Sequence, residues 1–109
     1  MPIATCIVNP DCPNHSGDLI ELWAKEAGLP SKHMTINLIV SNEQLGNRYG
    51  VMATLSLPSV WKESQISSLQ IGLAKALAKS FSLPISEVHV ITHIIPSGFV
   101  VEEGNEVKW

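Results

Sequence analysis

The chain carries one pattern twice, and that duplication limits its fold more than any other feature. Near the middle it reads Leu29-Pro30-Ser31-Lys32-His33-Met34-Thr35-Ile36. In the second half it reads Leu83-Pro84-Ile85-Ser86-Glu87-Val88-His89-Val90. Both stretches follow a helical spacing, break at Leu-Pro and enter an apolar strand. A further strand precedes each helix, Pro2 to Val8 in one half and Val51 to Leu57 in the other. The order is strand, helix, strand, twice over, and such self-similarity is read before any single element.

The helices are legible from their apolar stripes. Ile66, Leu69, Leu73, Leu77 and Phe81 recur at helical spacing and gather on one face. Glu63 falls in the first turn of that helix and Lys75 and Lys79 toward its end, as the helix dipole favours. An earlier, shorter helix is expected from about His15 to Ala27, with Leu19, Ile20, Trp23 and Ala27 as its stripe and Gly28 to end it. In the last strand Val88, Val90, Thr92 and Ile94 share one face, and His89, Ile91, His93 and Ile95 the other.

A strand-helix-strand unit returns its second strand parallel to the first with a right-handed crossover. Two units therefore predict one α+β domain over residues 1–109, with pseudo-repeats at roughly 2–48 and 49–104. Its expected architecture is a four-stranded mixed sheet with both helices on one face. The other face, with Ile91 and Ile95, then needs cover, which predicts self-association. Residues Gly98 to Trp109 read as a terminal hairpin or arm.

Bulk properties narrow the partners. The formal charge is −3, and the seven Lys and Arg residues are scattered, with Arg48 the sole arginine. A nucleic-acid partner is therefore not expected, because a phosphate-binding surface needs clustered cations. The apolar runs Ile36–Val40 and Val88–Ile95 fall well short of the ~20 residues of a membrane span, so no membrane partner is expected either. Nothing at the N-terminus reads as a signal peptide, and the expectation is a cytoplasmic protein. Cys6 and Cys12 form neither a CxxC pair nor a disulfide framework and read as ordinary thiols of a reducing compartment. His89 and His93 share a strand face but lie roughly 13 Å apart, too far for one zinc ion, so no metal is expected. Glycine-rich phosphate loops and serine-nucleophile motifs are absent, and no cofactor is expected.

A chain that starts Met-Pro, runs strand-helix-strand twice and ends in a Gly-rich arm resembles the tautomerase superfamily. Residues 49–104 resemble 4-oxalocrotonate tautomerase, through the stretch Leu83 to Ile91 and then Pro96-Ser97-Gly98-Phe99. With two units, the chain is similar in length to macrophage migration inhibitory factor and 5-carboxymethyl-2-hydroxymuconate isomerase; Tyr49 to Phe81 is most like the isomerase. The resemblance implies that removal of Met1 frees Pro2 as a secondary amine acting as general base on a small 2-keto or enol acid. Burial in an apolar pocket disfavours the charged amine and lowers its pKa, which leaves a neutral base at pH 7. Without that chemistry Pro2 simply begins a strand, where a proline loses no ladder bond.

The resemblance also implies substrate-binding residues. His89 stands where 4-oxalocrotonate tautomerase carries an arginine and the inhibitory factor a tyrosine; in the plain reading it is a half-buried strand residue. Thr35, its counterpart in the first half, also lacks an arginine. Trp61 takes the place of a second binding arginine, with Lys62 beside it, and suits an apolar wall or an interface as well. Phe99 matches a pocket aromatic, Lys32 and His33 lie near a pocket lysine and tyrosine, and Ile91 joins His89 and Phe99 against a neighbouring chain. The family pattern is a homotrimer with pockets between subunits. Loss of the arginines implies poor binding of dicarboxylates. Two alternatives stay open: a hydratase or dehalogenase of an unsaturated acid, with Glu102, Glu103 or Glu106 orienting water, and a non-catalytic oligomeric binding protein. Those glutamates otherwise read as a solvated tail.

Overall fold

The computed structural model describes residues 1–109. It runs β1 (Ile3–Val8), α1 (Leu19–Ala27), β2 (Thr35–Val40), β3 (Val51–Pro58), α2 (Glu63–Ser80), a 3-10 turn (Ile85–Glu87), β4 (Val88–Ile95), β5 (Val100–Glu102) and β6 (Asn105–Val107). The first four strands form one sheet in the order β2-β1-β3-β4, and β5 and β6 pair as a separate hairpin. Within each repeat the strands are parallel, β1 with β2 and β3 with β4, while β1 and β3 meet antiparallel at the centre. The sheet is thus mixed because two parallel units face each other in opposite directions.

Alternation decides what is buried. Ala4, Cys6 and Val8 of β1 and Val51, Ala53, Leu55 and Leu57 of β3 point toward the helices and are buried. Trp23 of α1 and Leu69, Leu73 and Leu77 of α2 cover them and complete the core. The expected stripe on α2 is the buried one, with Ile66 at its partly buried edge. Trp23 also donates its Nε1–H to the carbonyl of Leu69 at 3.0 Å, which satisfies the one polar atom of the largest core side chain.

The first helix is shorter than its sequence suggests. It begins at Leu19 because Asp18 caps it, the carboxylate accepting the N–H of Glu21 at 3.2 Å. His15, Ser16 and Gly17 belong instead to the connecting loop, where Ser16 N–H donates to the Ser80 carbonyl at 2.9 Å. At the other end Gly28 takes φ 68, a left-handed cap that returns its N–H to the last turn. Gly72 lets the two helices touch: a Cβ there would stand 2.8 Å from the Ala27 nitrogen.

The opposite face of the sheet has no layer over it. Its strand residues, such as Thr5, Ile7, Thr54, His89, Ile91 and His93, include no acid, lysine or arginine. Ile91 is half exposed, and no helix is long and apolar enough to cross a membrane.

Candidate functional site

Pro2 is buried at the start of β1, and its carbonyl accepts the Thr35 N–H at 3.0 Å. The same register brings the turn before β2 alongside, since Ile3 pairs with Thr35. Lys32 and His33 lie in that turn and are exposed. From the other side, Ile3 pairs with Ser56 near the end of β3, so the residues that follow β3 reach the same end of the sheet. Trp61 is among them; it packs against the core, and its Nε1–H is buried without a partner.

The C-terminal arm returns to this end. The Trp109 indole donates to Ser59 Oγ at 2.9 Å, and its backbone N–H donates to Ser97 Oγ at 2.8 Å. The arm also brings a charge: burial lowers the pKa of the Met1 amine, while the Glu102 carboxylate acts on the same amine to raise it. In the chain with Met1 attached, the Pro2 nitrogen is an amide; the amine appears only when Met1 is removed.

The remaining residues singled out from the sequence lie elsewhere. His89 pairs with Met52, which pairs with Ile7, at the far end of β1. Ile7 is roughly 13 Å along the strand from Ile3, so one chain does not bring His89 to its own Pro2. His89 packs against the Tyr49 ring with centroids 5.1 Å apart. Ile91 follows it on the same open face. Phe99 sits in the turn before β5 and is 77% exposed. The structure thus gathers Pro2, Lys32, His33 and Trp61 at one end of the sheet, sets His89 at the other and Ile91 midway beside Thr54, and leaves Phe99 out on the arm.

The far end also accounts for the sole arginine. Arg48 donates to Asp11 at 2.9 Å and lines a cleft of about 430 Å³ with Asn9, Cys12, Tyr49 and Glu87. Burial, aided by Glu87, raises the Cys12 thiol above its ordinary pKa, so it is a poor nucleophile. A second cleft of about 260 Å³ opens on the uncovered sheet face beside His89 and Ile91. Ser41 and Gln44 line it, and each has a buried polar atom without a partner. Nothing in the sequence marks these two: they lie in a polar loop with no motif, and only the folded loop turns them inward.

The same arrangement, a duplicated β-α-β sheet under two helices, recurs in several solved structures. A fused 4-OT solved as a symmetric trimer aligns over 96% of this chain and 94% of its own, with a TM-score of 0.72 at 12% identity. Macrophage migration inhibitory factor from Oncomelania hupensis aligns over 98% and 82%, with a TM-score of 0.71 at 14% identity. A member of the cis-3-chloroacrylic acid dehalogenase family aligns over 96% and 82%, with a TM-score of 0.68 at 17% identity. At such identities the likeness is one of fold. No family model and no curated protein matches the sequence.

Proposed function

We propose that the protein is a cofactor-independent tautomerase that moves a proton on a 2-keto or enol acid, with Pro2 as general base once Met1 is removed. The observation that carries this reading is the burial of Pro2 beside an amine whose pKa is already lowered by desolvation. A neutral secondary amine in that position accepts a proton from an enol oxygen or an α-carbon and returns it to the other. Lys32, exposed in the turn alongside, supplies the cation for a single carboxylate. Trp61 walls the same end and has an unpaired N–H to offer a substrate oxygen. His89 reaches a reaction centre only from another copy, with Ile91 and Phe99 turned toward that neighbour, so on this reading the working form is a homo-oligomer. A trimer suits it, in keeping with the fused 4-OT trimer.

The test is direct. Intact mass should show loss of Met1, and the processed protein should ketonise phenylenolpyruvate, followed by ultraviolet absorbance. Pro2→Ala should lower kcat/KM by about 100-fold or more, the usual contribution of a positioned general base. No turnover of any enol substrate by the processed protein would leave a binding scaffold as the reading.

A second reading has one observation in its favour: the Glu102 carboxylate acts on the N-terminal amine. A carboxylate there can hold a water for addition to an unsaturated acid, as a hydratase or dehalogenase requires. Halide release from a chloroacrylate, lost in Glu102→Gln while ketonisation survives, distinguishes it.

A further inference from the structure

The C-terminal arm is fastened to the body at both of its strands, and only one of those joints is the chain itself. β5 leaves the end of β4 through Pro96 and the turn at Gly98, so covalent geometry places its start. β6 leads to Trp109, whose indole N–H donates to Ser59 Oγ at 2.9 Å across a separation of 50 residues. Of the hydrogen bonds made by residues 96–109, this one alone reaches outside the segment. Two others close the base of the hairpin: Gly98 N–H to the Val107 carbonyl at 2.9 Å, and Trp109 N–H to Ser97 Oγ at 2.8 Å. A hairpin joined at one strand swings about that joint, whereas one fastened at both keeps a single direction.

Ser59 is a fixed anchor. Its own N–H donates to the Ile95 carbonyl at 2.9 Å, which ties it to the end of β4. The register of β1 on β3 pairs Ile3 with Ser56, so Ser59 lies just past the place where the N-terminus enters the sheet. Toward the tip of the hairpin Glu102 pairs with Asn105, and its carboxylate acts on the N-terminal amine. Lys32 and His33 before β2, Lys62 at the start of α2 and His93 of β4 stand on the body, not on the arm. Glu103, Glu106 and Lys108 travel with the arm, but Glu102 is the one whose charge is felt at the amine.

We propose that Trp109 is a positioning residue: its indole bond to Ser59 fastens the arm beside the N-terminus and so keeps the Glu102 carboxylate facing the N-terminal amine. The proposal rests on the reading of that amine, freed at Pro2, as the general base. A carboxylate held there favours the protonated amine that exists midway through a proton transfer. An arm that swings away takes that stabilisation with it.

Trp109→Phe keeps an aromatic ring and removes the N–H, and Ser59→Ala removes its acceptor. The processed protein, labelled at Pro2, is titrated by NMR, which reads the amine whether or not any substrate turns over. In both variants the midpoint should move to lower pH, because the charge that favours the protonated form has left. Glu102→Gln should move it in the same direction, and adding Trp109→Phe to Glu102→Gln should move it no further. Exchange of the Trp109 indole N–H with solvent should be about fivefold faster in Ser59→Ala, the effect of one hydrogen bond. A clasp that only stiffens the arm would lower the melting temperature and leave the midpoint where it is. That result, additive shifts in the double variant, or an unchanged indole exchange rate in Ser59→Ala would overturn the proposal. Absence of ketonisation by the parent removes the tautomerase reading instead, and the titration still decides whether Trp109 holds the carboxylate in place.

Discussion

At the scale of single residues, the consequences come from what burial does to ionisable groups. Burial lowers the pKa of the Met1 amine even though Met1 is only partly buried, and Pro2 lies one step further in. A freed Pro2 amine should therefore titrate below the ~8 of an ordinary α-amino group. Because the neutral form is the base, kcat/KM should fall on the acid side as the amine protonates, with its midpoint under that value. A pH–rate profile of ketonisation reads it directly, and a midpoint at or above the ordinary value would mean a solvated amine. Cys6 is affected in the opposite sense. Burial alone pushes its thiol up to about 12, against ~8.5 in an unfolded chain. The unfolded chain loses the thiol proton first, so this contribution is whole below ~8.5 and is lost as pH rises toward 12. Urea melts at pH 7 and pH 10 should show stability falling with pH, and falling less in Cys6→Ala, whose stability is lower at both.

At the scale of elements, the helix pair depends on a missing side chain. Gly72 faces the end of α1, where an added Cβ would stand 2.8 Å from the Ala27 nitrogen and 3.0 Å from the Glu26 carbonyl carbon. Backbone cannot swing aside as a flexible side chain can. Gly72→Ala should cost about 2 kcal/mol despite the better helix propensity of alanine, measured by urea denaturation. A neutral or stabilising result would mean that the helices slide apart freely. The helices were the clearest elements in the sequence, because Leu69, Leu73 and Leu77 repeat at the period of the structure they form. The start of α1 was less clear: the His15–Asp18 segment lacks an apolar stripe, and the boundary is set by the Asp18 cap and by Ser16 bonding to Ser80, a partner far along the chain. The expected strands were right to within a residue: Pro2 stands just outside β1, and Pro58 ends β3.

At the scale of the molecule, the open sheet face is the unfinished part. Thr54 lies exposed in the middle of a face whose strands carry no acid, lysine or arginine. If a second copy covers it, Thr54→Lys buries an unpaired charge and should shift the protein toward monomer in light scattering. An unchanged mass would place the contact elsewhere. The same face separates the site residues into two groups. Pro2, Lys32 and His33 share an end because β1 and β2 run parallel in register, and that could be inferred from the repeat. His89 lies at the other end of the sheet because β3 runs antiparallel to β1 and β4 follows β3. The sequence-level expectation that His89, Ile91 and Phe99 serve a neighbouring chain is compatible with that separation.

The amino-acid order by itself determined the two units, the apolar stripes of the helices, the alternation of β4 and the proline that opens the first strand. Those features are local: each is set by spacing along the chain and by the conformations that Pro and Gly allow. Tertiary structure decided the rest. It alone set β1 against β3 at the centre of the mixed sheet, brought the C-terminal arm with Glu102 to the N-terminus, and left Ser41 and Gln44 with unpaired polar atoms beside a cleft. Burial and hydrogen-bond satisfaction depend on neighbours distant in sequence, and no periodicity records them.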